Sequence, residues 1–244
     1  MPYIAFSEAH DTPLAVVGGG PSAGQHLEEL KEWPGHIWAI NQGAAWLAHV
    51  APKAMVWMFT VDPDPLLAQP QWVAGVQRAI LGLCVSPKLV EALKGKDVRL
   101  FDPHVSPDSE DGMTLAGGPS SVCRTFVPAM WMGYKTVTYF GCEGSIGDTT
   151  HAYRNETRDR QMVVRCGEQD FVTTPDLYLS TIALSKAIRE YSSPNAGLRE
   201  KSGGLLRGML EHPDTWEVVA YSEALAKTID PSAIGGTRYY PKAA

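Results

Sequence analysis

The stretch Leu14-Ala15-Val16-Val17-Gly18-Gly19-Gly20-Pro21-Ser22 decides the predicted fold. Its first four residues form a short, continuous apolar run, which is typical of a strand buried in a parallel sheet. Three glycines then form a turn, and Pro21 and Ser22 suit the first positions of a helix. The stretch therefore predicts a strand, a glycine turn and a helix start, which is how many α/β domains begin.

The same phrase returns at residues 117–121, which read Gly-Gly-Pro-Ser-Ser. A helix start points backbone N–H groups outward, its dipole favours an anion, and glycines let a phosphate approach the backbone. Two such loops in one domain favour a nucleotide as ligand. Ordinary turn chemistry is the alternative, and it is favoured for the second copy taken alone. The predicted nucleotide-binding residues of the two loops are Gly19, Gly20, Ser22, Gly118, Ser120 and Ser121.

Apolar runs alternate with helical patterns over the first two thirds of the chain, which predicts a parallel sheet covered on both faces. The fold class is therefore α/β, with a Rossmann-like, mostly parallel sheet over residues 1–160. Residues 161–244 are expected to form a smaller helical and irregular extension within the same domain. The predicted strands are 14–17, 36–40, 54–61, 81–85, 97–101 and 136–140. The predicted helices between them are 23–33, 42–50, 72–80, 87–94 and 121–133. In the extension we predict a hairpin of 162–165 with 170–173, helices at 175–191 and 205–211, and a strand at 216–220.

The composition excludes several classes of protein. The chain has 244 residues and a net charge of -6 with no basic tract, which argues against sequence-independent nucleic-acid binding. Residues 1–13 are neither basic nor followed by a long apolar segment, so neither a signal peptide nor a membrane span is expected. Four cysteines without C-x-x-C spacing are typical of reduced thiols in a cytoplasmic protein. The expected partners are a nucleotide and a small-molecule substrate, and a homo-oligomer is left open.

Polar residues follow the second and third predicted strands, at the edge where ligands of parallel sheets bind. Asn41 and Gln42 end the second strand, where Asn41 is suited to hydrogen-bond a base or a ribose, or to cap the next helix. Asp62 and Asp64 end the third strand. Two carboxylates at this spacing are suited to share a Mg²⁺ that bridges phosphates, or to cap a proline-rich turn. The sequence leaves both alternatives open.

A third group of polar residues follows the sixth predicted strand. Glu143 is a candidate metal ligand or base. His151 is a candidate general acid or base, since the unperturbed histidine pKa is ~6.5. Arg154 and its arginine neighbours make this segment locally basic in an acidic protein, which suits a lid over phosphates. A solvated charged loop is the alternative.

Five segments resemble the MptE-like family, which is named for archaeal 6-hydroxymethylpterin diphosphokinases and includes many bacterial and phage proteins. They are V-V-G-G-G-P-S at 16–22, A-I-N-Q at 39–42, G-G-P-S-S at 117–121, M-G-Y-K-T-V at 132–137 and G-C-E at 141–143. The resemblance covers residues 14–155. Two features depart from the family pattern: Cys142-Glu143 stands where Asp usually follows the glycine, and the second loop reads G-G-P-S-S.

The resemblance implies that Asp62 and Asp64 fall where the kinase members carry their metal-binding strand end. The same phrases are similar to bacterial CMP-sialic-acid sialyltransferases, in which the glycine loop and an Asn-Gln strand end hold the nucleotide and a later histidine is the base. Three functions follow as expectations. The leading one is Mg²⁺-dependent phosphoryl or pyrophosphoryl transfer to a small molecule, and the other two are its alternatives. The second is glycosyl transfer from a CMP-sugar, with His151 as base. The third is non-catalytic binding by a phage or bacterial accessory protein.

Overall fold

The computed structural model describes residues 1–103, 120–146, 161–191, 197–213 and 215–221. Its main sheet has seven strands in the order β5-β4-β3-β2-β1-β6-β9, and every neighbouring pair is parallel. The strands are β1 (Leu14–Val17), β2 (His36–Ile40), β3 (Met55–Thr60), β4 (Arg78–Gly82), β5 (Asp97–Phe101), β6 (Thr136–Phe140) and β9 (Gly197–Glu200). The predicted α/β Rossmann-like fold is confirmed.

Helices cover both faces of this sheet. They are α1 (Ser22–Gln25), α2 (Leu27–Lys31), α3 (Gly43–Val50), α4 (Pro70–Val73), α5 (Pro87–Ala92), α6 (Phe126–Trp131), α7 (Pro175–Tyr191) and α8 (Gly204–Glu211). Successive strand residues point to opposite faces, so the core divides in two. On one face Val16 and Trp38 pack with Phe126 of α6. On the other face Val17 packs in the cluster that includes Leu47 of α3.

A second, smaller sheet lies in the C-terminal part of the chain. Its strands β7 (Met162–Cys166), β8 (Gln169–Thr173) and β10 (Trp216–Tyr221) are antiparallel, in the order β10-β7-β8. They enclose a separate apolar cluster that includes Leu205 and Met209 of α8. Among the described helices, none has the length and apolar character that a membrane crossing needs.

The structure corrects three predicted elements. Residues 78–80 belong to strand β4 instead of a helix, because α4 ends before Gly75, whose φ of +75° breaks the helix, and Arg78 pairs with β5. The predicted helix 23–33 is divided at His26. The predicted helix 121–133 is divided at Thr125, whose hydroxyl donates to the Val122 carbonyl.

One strand of the main sheet was not predicted. Strand β9 pairs in parallel with β6, so a segment of the predicted extension adds the edge strand of the core sheet. Its sequence, Gly-Leu-Arg-Glu, lacks the apolar run that marks the inner strands. Edge strands need fewer apolar residues because one side is not covered by another strand.

Candidate functional site

The topological switch point of the main sheet lies between β1 and β6. From β1 the chain builds β2 to β5 on one side, whereas β6 and β9 lie on the other side. Ligands of open α/β sheets bind in the crevice that such a reversal opens at the carboxyl ends of the strands. Gly18 follows β1 and Gly141 follows β6, so the first glycine loop and the loop after β6 meet at this crevice.

The first glycine loop, residues 18–22, is joined directly to the loop after β6. The backbone N–H of Ser22 donates to Glu143 Oε1 over 2.7 Å, and Ser22 Oγ accepts from the backbone N–H of Gly141 over 3.2 Å. The backbone N–H of Gly20 donates to the Gly141 carbonyl over 2.8 Å. Two of the amides that were expected to cradle phosphate, those of Gly20 and Ser22, are therefore engaged within the protein.

Close packing explains why glycine occupies this loop. A Cβ at Gly20 would overlap Glu143 Oε2, and a Cβ at Gly18 would overlap the carbonyl oxygen of Gly141. Gly141 itself has a φ of +63°, which favours glycine. The contacts between the two loops alone are enough to require these glycines, whatever ligand binds beside them.

The second cluster joins Asn41, Asp62 and Ser121. Ser121, which is buried, donates through Oγ to Asn41 Oδ1 over 3.1 Å and accepts from the backbone N–H of Val61 over 3.0 Å. Asn41 Nδ2 lies 3.4 Å from Asp62 Oδ2. Three of the predicted site residues, from three different parts of the sequence, thus meet at the carboxyl ends of β2 and β3.

The backbone at Asn41 is strained. Its φ is +50°, in the left-handed region that asparagine adopts more readily than most residues. Its side chain bonds Ser121 instead of capping α3, whose first turn receives no side-chain cap from Gln42 either. A non-glycine residue in this conformation costs of order 1–3 kcal/mol and is found most often at functional sites.

Asp62 and Asp64 stabilise a turn. Asp62 Oδ1 accepts from the Asp64 amide over 2.9 Å, and Asp64 Oδ1 accepts from the Leu66 amide over 2.8 Å at the start of a 3₁₀ turn, Pro65–Ala68. In the described part of the chain, no three His, Cys, Asp or Glu side chains gather as candidate metal ligands. Both carboxylates therefore cap the turn in this structure, and their binding of Mg²⁺ stays a prediction.

Two further side chains near this cluster were missed by the sequence analysis. Cys84, which follows β4, donates through Sγ to the Val61 carbonyl over 2.9 Å. Partial burial raises the pKa of its thiol, while the charge of Arg124 acts to lower it. Arg124 is half-buried in the turn after Ser121 and donates to the Pro103 carbonyl. The signal that could have identified Arg124 in the sequence is its position as a cationic residue shortly after the second glycine loop.

Several predicted site residues are not part of these two clusters as the structure describes them. Gly118, His151 and Arg154 lie outside the described residues. Ser120 is described, and its hydroxyl lies 3.7 Å from Cys123 Sγ. Arg165 belongs to the hairpin, where it pairs with Asp170 over 2.7 Å, so the structure does not add it to the predicted basic lid.

Burial dominates the chemistry of the loop after β6. Burial, followed by the charge of the adjacent Glu143, raises the pKa of the Cys142 thiol far above its usual range. Its backbone N–H donates to Ser202 Oγ over 2.9 Å. Cys142 is therefore an inert, structural thiol at the base of the crevice.

Comparison with known proteins shows that a glycosyltransferase of known structure has a similar fold. A MAf glycosyltransferase from Magnetospirillum magneticum AMB-1 superposes with a TM-score of 0.63 over 83% of this chain and 34% of that chain, at 19% identity. At this identity the likeness concerns the fold alone. The glycine–tRNA ligase beta subunit of Synechocystis sp. is 31% identical over 123 residues, which are 48% of this chain and 16% of that protein. No protein-family model matches the chain. The chain thus spans well under half the length of both proteins.

Proposed function

We propose that this chain is a nucleotide-dependent transferase, and that the group it moves is a glycosyl group carried by a nucleotide-activated sugar. The observation that carries the proposal is the hydrogen-bonded cluster of Asn41, Asp62 and Ser121 beside the switch point of the sheet. This is where nucleotides bind in open α/β folds. Fold alone does not determine a reaction, so the argument depends on these side chains.

The cluster is built to present Asn41 to a ligand. Its two hydrogen bonds hold the side-chain amide in one orientation, at the carboxyl end of β2. An amide group can both donate to and accept from a nucleobase or a ribose. Fixing that group before the ligand arrives lowers the entropy cost of binding.

The choice of glycosyl transfer is supported by two observations. The solved structure with a similar fold is a glycosyltransferase. In addition, the carboxylates of Asp62 and Asp64 already bind backbone amides of their own turn. Within this proposal His151 is the acceptor base and Arg154 the cation that neutralises the leaving phosphate.

Mg²⁺-dependent phosphoryl transfer is the competing hypothesis. It requires Asp62 and Asp64 to bind a cation together with the nucleotide phosphates. Chelation separates the two reactions: EDTA should abolish nucleotide binding or turnover in the kinase-like case. It should leave release of CMP from a CMP-sugar unchanged in the glycosyl case.

The first test is a thermal-shift screen of ATP, GTP, CTP, CMP and CMP-sugars, with and without Mg²⁺. A ligand at 100 times its Kd should stabilise the fold by about 2.7 kcal/mol. We expect CMP or a CMP-sugar to raise the melting temperature without Mg²⁺. If no nucleotide changes it, the proposal is wrong and the accessory-protein hypothesis replaces it.

Two serine variants make the test specific. Ser121→Ala removes the hydroxyl that orients Asn41 and should weaken nucleotide binding by about tenfold, corresponding to one hydrogen bond of ~1.4 kcal/mol. Ser180→Ala is the matched control, because among the described residues that hydroxyl bonds to its own helix alone, at the Asp176 carbonyl. Equal affinities of the two variants would contradict the assigned site.

A further inference from the structure

The Glu143 carboxylate lies inside the first glycine loop, at the position where a bound phosphate was expected. Oε1 accepts from the Ser22 amide, and Oε2 lies so close to Gly20 that no Cβ fits between them. Glu143 is only 8% exposed. Among the residues that the structure describes, Ser22 supplies the one hydrogen bond to this side chain.

A buried carboxylate with one hydrogen bond has unused acceptor capacity. An ionised carboxylate can accept at about four lone-pair positions, and a buried charge is costly unless it is paired or hydrogen-bonded. Oε2 lies against Gly20 of the first glycine loop. The ligand group that satisfies it must therefore be a donor.

The same charge opposes a phosphate. A phosphate oxygen beside this carboxylate would bring two like charges together, and like charges at close range repel each other. The Ser22 amide, which would otherwise bind a phosphate oxygen, is already occupied by Glu143. The amide of Gly20 is occupied by the Gly141 carbonyl.

We infer that the first glycine loop recognises a sugar hydroxyl and excludes phosphate, with Glu143 Oε2 accepting the hydrogen bond from that hydroxyl. The inference rests on the proposed function for the identity of the ligand, whose hydroxyl comes from the ribose or from the transferred sugar.

The exclusion of phosphate is tested with inorganic pyrophosphate, which needs no knowledge of the natural ligand. Pyrophosphate is titrated into the wild type, Glu143→Gln and Glu217→Gln while the amide signals of Gly19, Gly20 and Ser22 are followed by NMR. Glu143→Gln keeps an acceptor for Ser22 and removes the charge. Glu217→Gln is the control variant. It removes one carboxylate charge from the second sheet, where Glu217 lies 3.7 Å from Arg165.

We expect no saturable shift of these amides in the wild type or in Glu217→Gln, and binding at least about tenfold tighter in Glu143→Gln. Saturable shifts in the wild type would overturn the inference, and this outcome does not depend on whether either variant folds. Equal pyrophosphate affinity of the folded Glu143→Gln protein and the wild type would overturn it as well.

The hydroxyl is identified with CMP, its 2′,3′-dideoxy analogue and a CMP-sugar, each measured by calorimetry on the same three proteins. If the ribose supplies the hydroxyl, the dideoxy analogue should bind the wild type about tenfold more weakly than CMP, and Glu143→Gln should remove this difference. If the transferred sugar supplies it, only the CMP-sugar should lose affinity in Glu143→Gln. If neither comparison shows a loss of affinity, Glu143 does not bind a sugar hydroxyl and the inference is wrong. If CMP compounds do not bind the wild type at all, the proposed function fails and the pyrophosphate titration alone decides the inference.

Discussion

Ser22 and Glu143 are 121 positions apart in the sequence, and one hydrogen bond of 2.7 Å joins them. It connects the loop after β1 to the loop after β6 across the switch point of the sheet. Ser22 Oγ also accepts from the Gly141 amide, so the backbone and the side chain of Ser22 both bind the loop after β6. This junction makes the glycine loop part of the protein's own packing as well as a wall of the candidate site.

Replacement of Gly20 should destabilise the fold. The new Cβ of Gly20→Ala would overlap Glu143 Oε2, and overpacking of this kind costs about 1–3 kcal/mol. Urea unfolding measures the loss. Gly197→Ala is the control, since its Cβ would lie 3.4 Å from Thr136 Oγ1 in ordinary contact. A Gly20→Ala protein as stable as the wild type would show that Glu143 is not held in the loop.

Two variants of Asn41 should separate the effect of its backbone conformation on stability from the effect of its side chain on nucleotide binding. Asn41→Gly tolerates the φ of +50° and loses only the side-chain bonds, whereas Asn41→Ala also has an unfavourable backbone. We expect the alanine variant to be less stable than the glycine variant by about 1 kcal/mol. Both variants should lose nucleotide affinity in calorimetry. Wild-type affinity of Asn41→Gly would exclude the side chain from the site.

Asp64 should behave as a cap. Asp64→Ala removes the acceptor of the Leu66 amide and should lower the free energy of unfolding by about 1 kcal/mol without changing nucleotide affinity. Asp64→Asn keeps an acceptor oxygen and should be nearly neutral in both measurements. A loss of Mg²⁺-dependent binding in Asp64→Asn would instead favour phosphoryl transfer.

The stability should fall in mild acid because of His36. Burial, and next the nearby His10 and Arg78, lower the pKa of His36 below its usual value of 6.5, and its Nδ1 lies 2.6 Å from the Tyr134 hydroxyl. The unfolded chain therefore binds the proton more readily than the folded protein does. The contribution of His36 to stability is complete above pH 6.5 and is lost as the pH falls below that value toward the lower folded pKa. Urea unfolding between pH 5 and pH 8 measures this loss. The free energy of unfolding should depend less on pH in His36→Gln than in the control variant His49→Gln.

Cys84 should report on occupancy of the site. It is half-exposed beside Val61, whereas Cys123, Cys142 and Cys166 are buried. Alkylation of the native protein, followed by peptide mass spectrometry, should therefore modify Cys84 first. A bound nucleotide should slow that reaction. Modification of Cys142 before Cys84 would contradict the described crevice.

The sequence alone determined the layers of the fold. Strands β1, β2, β5 and β6 and helix α7 have the bounds that were predicted from the sequence. For β1 the reason is clear, since a strand buried on both faces reads as a continuous apolar run. The glycine phrases also indicated which strand ends carry the candidate site. Local composition was enough for these features, since each depends on neighbours within a few positions.

Only the tertiary structure decided which of those residues meet. The hydrogen bond between Ser121 and Asn41 spans 80 positions, and the one between Ser22 and Glu143 spans 121. Both depend on the strand order, which places β2 and β6 on either side of β1. The same order brought the polar strand β9 to the edge of the sheet. Periodicity carries no information on such long-range contacts, because their energy comes from burial and hydrogen bonding between elements that the chain brings together only on folding.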